Sequence, residues 1–190
     1  SDLRAARTVF WLSAGGLAWT HAGYPLAAAA LARLRPRLVR KEDLTPDVTV
    51  VVAAHDEQDV IGRRVENLLE LDYPTERLTV VVASDGSTDG TDAAVAEIAE
   101  RDPRVRLVSK PRQGKVPTQD SVVAALESEI VAFTDANAVW APDALRALVR
   151  SFADPDVGYV CGHLDLQRAD GGARVAPVHV QQALGQLEQQ

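Results

Sequence analysis

Three apolar, β-branched runs in this chain each stop abruptly at acidic residues: VTVVVAAHDE at 48–57, VVVASDGSTDGT at 80–91 and IVAFTDANA at 130–138. Runs this rich in valine, with so little polar alternation, suit strands buried on both faces, the condition of a parallel sheet covered by helices. Open α/β sheets build their ligand sites where buried strands deliver polar groups to their C-terminal ends. Three strands ending in Asp therefore point to a polar ligand at one sheet edge, a phosphate bridged by a metal ion.

The order of patterns along the chain agrees. Strands are predicted at 48–54, 78–83, 105–108, 130–133 and 157–161, with helices at 59–71, 91–100, 118–126 and 142–152 between them. Strands alternating with helices give a mostly parallel sheet, and right-handed crossovers bring the strand C-termini to one side. Aromatic residues make up only 5% of the chain, so Val, Ala and Leu must fill this core. Cys161 is the single cysteine, which excludes an internal disulfide, and its apolar run at 157–161 predicts a packing role.

Charge divides the 190 residues unevenly. Residues 1–41 carry a net charge of +6 and residues 42–190 a net charge of −13. An acidic globular part repels phosphate backbones, so no nucleic-acid partner is expected. Residues 8–32 contain no charged side chain, although they are only moderately apolar and Pro25 interrupts them. They are expected to form an N-terminal membrane helix, which needs roughly 20 residues. The heavier basic flank follows it (Arg33, Arg35, Arg37, Arg40 and Lys41), placing the globular domain in the cytoplasm at the cell membrane. The resulting division is an anchor at 1–33, a basic linker at 34–46, the globular domain at 47–168 and a polar tail at 169–190.

Ala54, Asp56 and Glu57 close the first strand; acids there also suit a helix start. The segment 53–57 is read as a loop around a base and ribose. DGSTDG at 85–90 satisfies part of a calcium-loop pattern, but its twelfth position is Ala96, so that reading fails. Gly86 and Gly90 shape a turn, Asp89 caps the next helix, and Asp85 faces the ligand. KPRQGK at 110–115 is a basic loop whose three cations, Lys110, Arg112 and Lys115, together with Gly114 suit a diphosphate. Asp135 and Asn137 offer a carboxylate and an amide oxygen to a hard divalent cation such as Mg2+ or Mn2+. His21, His55, His163 and His179 have no zinc-like spacing.

Taken in order, Tyr24-Pro25-Leu26, AAHDE, Asn67-Leu68-Leu69, Leu71-Asp72-Tyr73-Pro74, SDGSTDGT, Gly114-Lys115, FTDANA and FADPDVGYV resemble a family 2 glycosyltransferase of GT-A fold. The kind most resembled is membrane-attached and polysaccharide-synthase-like. The resemblance covers about residues 20–165. It implies a Rossmann-like GT-A sheet and a nucleotide-sugar donor, usually UDP-linked. It also implies inverting transfer to a saccharide or lipid-linked acceptor. Asp56 and Asp85 then bind the nucleoside, with Ala54, Glu57, Ser87 and Lys115 around the nucleotide. Asp135 and Asn137 stand where the family usually has D-x-D, Asn137 replacing the second acid. Family members carry an acidic catalytic base and, when processive, Q-x-x-R-W; neither is recognisable here, so the chain reads as the donor-binding half, truncated before the base. Asp165 and Glu188 lie in the right direction without a motif around them.

Two other readings stay open at this point. One is a non-catalytic nucleotide-sugar-binding or scaffold subunit, consistent with Asn137 and the missing base. The other, a nucleotidyltransferase, ranks last because AAHDE occupies the place of its Gly-rich fingerprint.

Overall fold

The computed structural model describes residues 2–162 and 179–182. The chain divides into two units between Val39 and Arg40. In the first, helix α1 (Asp2–Ala18) runs through a π turn at Trp19–Gly23 into α2 (Tyr24–Leu34). Pro25 sits in the first turn of α2, where its missing N–H is tolerated, and the wider π turn precedes it. The Trp19 ring lies against Gly23, where a Cβ would clash. The expected single membrane helix is thus two α-segments. Among the described residues, no helix is long and apolar enough to cross a membrane.

The second unit is the α/β domain. Its elements are β1 (Val48–Ala54), α3 (Gln58–Leu69), β2 (Leu78–Asp85), α4 (Thr91–Arg101), β3 (Val105–Lys110), α5 (Lys115–Val123), β4 (Ile130–Asp135), α6 (Ala144–Val149), β5 (Tyr159–Cys161) and β6 (His179–Gln182). The sheet order is β3-β2-β1-β4-β6-β5. The first four of these strands run parallel, whereas β6 is antiparallel to both β4 and β5. Part of the polar tail therefore forms a strand at His179–Gln182. Its remainder lies outside the described residues.

Alternation along the strands sorts the valines between two helix layers. Val48, Val50 and Val52 pack with Val80, Val82, Ile61, Val65 and Leu68 beneath α3, α4 and α6. Val51, Val81 and Val131 face the other way, onto Val122 of α5. Cys161 does not join either layer. It is exposed on the three-residue strand β5, at the sheet's edge. Residues 40–46, read as linker, hold to the α/β unit: the Arg40 Nε donates to Ala153 O at 2.9 Å, and the Tyr73 hydroxyl to Pro46 O at 2.6 Å. Burial raises the Tyr73 phenol well above its ordinary pKa.

The chain passes from β1 outward to β2 and β3, then crosses back to β4 on the other side of β1. The C-terminal ends of β1 and β4 therefore flank a topological switch point, where the backbone opens a crevice.

Candidate functional site

A cavity of about 300 Å³ occupies that crevice. Ala54, His55 and Glu57 line it from the end of β1, Asp85 from β2, Lys115 and Thr118 from α5, and Asp135 and Asn137 from the end of β4. Of the residues expected from sequence, Asp56 and Ser87 are not in its lining. They bond instead to the loops beside it.

Asp56 adopts a left-handed backbone, φ +52°, which Asp tolerates better than most residues. Its Oδ1 accepts the Thr88 N–H at 2.7 Å, and its own N–H donates to Ser87 Oγ at 3.3 Å. Gln58 N–H donates to Asp89 at 3.1 Å, and Gln58 Oε1 accepts the Gly90 N–H at 2.9 Å. Asp89 also accepts the Thr91 N–H at 2.9 Å, at the start of α4. These bonds stitch the loop after β1 to the loop after β2. The Thr88 N–H holds the Asp56 carboxyl below its ordinary pKa, and the Thr91 hydroxyl does the same for Asp89.

Asp85 lines the cavity and also has a structural task. Its Oδ1 accepts from Gln113 N–H at 2.8 Å and the Thr118 hydroxyl at 2.9 Å, and its Oδ2 accepts from Gly114 N–H at 3.0 Å. The carboxylate latches the KPRQGK loop to β2, with its pKa lowered chiefly by the Gln113 N–H. Gly86, at φ +65°, lets that loop approach; a Cβ there would meet Arg112 N at 2.7 Å. His55 Nδ1–H donates to Asp85 O at 2.9 Å, leaving Nε2 between the Arg112 guanidinium and the Asp56 carboxylate, 3.3 Å away. A neutral ring accepts from Arg112, whereas a protonated ring donates to Asp56; one ring cannot do both.

Lys115 Nζ pairs with Asp135 Oδ1 at 2.5 Å across the cavity mouth, both side chains about half exposed. The backbone turns after β4 instead of staying extended, with Ala138 N–H donating to Asp135 O at 3.3 Å. Asp135 and Asn137 nevertheless reach the same cavity. No group of three or more His, Cys, Asp or Glu suited to a metal ion occurs among the described residues. An acid and an amide fit a Mg2+-like cation that fills its shell with water and phosphate oxygens, not an all-protein cage.

Thr118 and Arg64 are the site-associated residues that sequence reasoning missed. Arg64 lies behind the turn after β4, 2% exposed, where it donates to Thr134 Oγ1 at 2.7 Å. A signal for it exists in the sequence: Ile61, Arg64, Val65 and Leu68 share one helical stripe, and a cation does not belong there without a reason.

Residues 49–186 match the family described as glycosyl transferase family 2. The beta-monoglucosyldiacylglycerol synthase of Synechocystis sp. is 32% identical over 161 residues, covering 78% of this chain and 33% of that protein. The succinoglycan biosynthesis protein ExoO of Rhizobium meliloti is 35% identical over 130 residues, covering 68% of this chain and 36% of that protein. The chain thus spans about a third of the length of these curated relatives. Among solved structures, the mannosyltransferase PcManGT from Pyrobaculum calidifontis, in complex with GDP-Man and Mn2+, superposes with a TM-score of 0.66 at 37% identity, covering 76% of this chain and 44% of that one. The chain belongs to glycosyl transferase family 2.

Proposed function

We propose that this chain supplies the donor-binding part of an inverting transferase that moves a sugar from a nucleotide-sugar to a saccharide or lipid-linked acceptor. The observation that carries the reading is the cavity at the β1/β4 switch point, with Lys115 and Asp135 facing each other at its mouth. Ala54, Glu57 and Asp85 border the nucleoside end, and the stitched loops holding Asp56 and Ser87 keep that wall rigid. Lys115 exchanges Asp135 for a diphosphate oxygen when donor enters, which frees the carboxylate. Asp135 and Asn137 then hold Mg2+ or Mn2+. A bound divalent cation supplies charge neutralisation for a departing nucleoside diphosphate. Inversion also needs a base on the acceptor hydroxyl; the two acids noted for that direction, Asp165 and Glu188, lie outside the described residues.

The deciding experiment is calorimetric titration of GDP and of UDP into the full chain, with and without Mn2+. Family resemblance favours UDP, while the superposed mannosyltransferase holds GDP-Man. One of the two is expected to bind, and more tightly with Mn2+. A folded chain that binds neither overturns the donor-site reading.

Membrane attachment through the first unit is part of the same proposal, with the catalytic domain on the cytoplasmic side. Phe10, Trp11, Leu17, Trp19, Tyr24 and Leu26 are all exposed on the α1–α2 segment, followed by Arg33, Arg35 and Arg37. Basic residues near an anionic surface contribute about 1 kcal/mol each. Changing these three arginines to Gln is therefore expected to weaken co-sedimentation with phosphatidylglycerol vesicles by about 100-fold. Equal sedimentation of variant and wild type removes the electrostatic share of the attachment.

A further inference from the structure

Arg64 is the only buried cationic side chain among the described residues. Burial draws its pKa down to about 9, opposed by the field of Asp135. No carboxylate among the described residues pairs with it directly, so its charge is held by neutral groups. Nη1 donates to Asn67 Oδ1 at 2.6 Å, Nη2 to Thr134 Oγ1 at 2.7 Å, and the guanidinium carbon stands 5.0 Å from the centroid of the Trp140 ring. Asn67 completes the arrangement by donating to Trp140 O at 3.0 Å and accepting the Trp140 N–H at 2.9 Å.

Thr134 directly precedes Asp135, and Trp140 follows Asn137 by three residues. One guanidinium therefore pins both ends of the turn that carries the acid and the amide. A core role alone does not call for this residue. An apolar side chain of similar volume fills such a site without the desolvation cost of a charge.

We propose that Arg64 is a positioning residue for Asp135 and Asn137, its planar fork fixing the spacing of their oxygens for a divalent cation on a nucleoside diphosphate. The inference rests on the cation-site reading of that pair. The fork, rather than the charge, is what matters: Lys keeps the charge but cannot reach Asn67 and Thr134 as one rigid plane.

The test uses the full chain and whichever of GDP or UDP binds it, titrated with and without Mn2+. Outer partners of metal ligands are worth about 10- to 100-fold in affinity. Arg64→Met and Arg64→Lys are both expected to lose about tenfold of the Mn2+-dependent gain, while metal-free affinity stays at the wild-type value. Full Mn2+-dependent gain in either variant overturns the inference. So does an equal loss with and without Mn2+, which marks Arg64 as merely structural. Should Arg64→Met not fold, the nearly isosteric Thr134→Val removes one pin alone. A smaller loss confined to the Mn2+ arm then supports the inference, and an unchanged gain overturns it. A wild-type chain with no Mn2+-dependent gain, or one indifferent to Asp135→Ala, overturns the cation-site reading and this inference with it.

Discussion

Asp135→Ala is expected to cut the Mn2+-dependent gain in nucleotide binding by about 100-fold or more, leaving the fold unchanged. The size follows from position. Outer partners of metal ligands already cost about 10- to 100-fold when removed, so a carboxylate that touches the ion sits at or beyond the upper end. The fold is spared because Asp135 is half exposed and its ion pair is with Lys115, itself about half exposed. A pair of that kind contributes only about 0–1 kcal/mol. The reciprocal change, Asn137→Asp, restores a second carboxylate beside the first and is expected to raise the Mn2+-dependent gain. Calorimetry of the three proteins with the same nucleotide decides the matter. An Asp135→Ala protein with the wild-type Mn2+ response removes Asp135 from the site.

The parts legible in the sequence are those written in side chains of one segment. The run at 48–54 is a strand to the residue because its consecutive valines suit only a strand covered on both faces. The acidic strand ends locate the crevice for the same reason: each acid comes one residue after an apolar run. Helix α5 is less legible. It is expected at 118–126, yet the helix opens at Lys115, because Pro117 is tolerated in a first turn. Cys161 is exposed on the edge strand instead of packed in the core, because an apolar run does not reveal whether its strand ends up inside the sheet or at its edge. What stayed hidden at the site was partnership. Asp85 is held by the backbone N–H groups of Gln113 and Gly114, and backbone donors leave no trace in residue identity. The Arg64 fork joins α3 to β4 across 70 positions, a separation over which local periodicity says nothing.

Asp85→Ala is expected to release the KPRQGK loop, and with it the placement of Lys115. In the wild type, one carboxylate takes two backbone N–H groups and the Thr118 hydroxyl. Removing it leaves those donors without their acceptor, which costs more than the bonds contributed. Lys115 is the first residue of α5, so a freed loop frays that turn and withdraws Lys115 from the cavity mouth. Trypsin reports the opening directly. Lys110 is followed by Pro111, which protects that bond, whereas the bond after Arg112 becomes accessible only when the loop lifts off β2. Cleavage there is expected to accelerate about tenfold or more, since proteolysis follows the population of the open form. Acid should produce the same opening in the wild type. The Asp85 carboxyl is held below its ordinary 3.8 in the folded chain, so the latch is intact above that pH and is lost as pH falls through the lowered value. Hydrogen-exchange protection of the Gln113 and Gly114 amides should therefore show an acid step in the wild type. In Asp85→Ala both amides should already be unprotected at neutral pH, with no step left to see. Equal protection in the two proteins would mean that the loop is held by Gly86 and Arg112 packing alone.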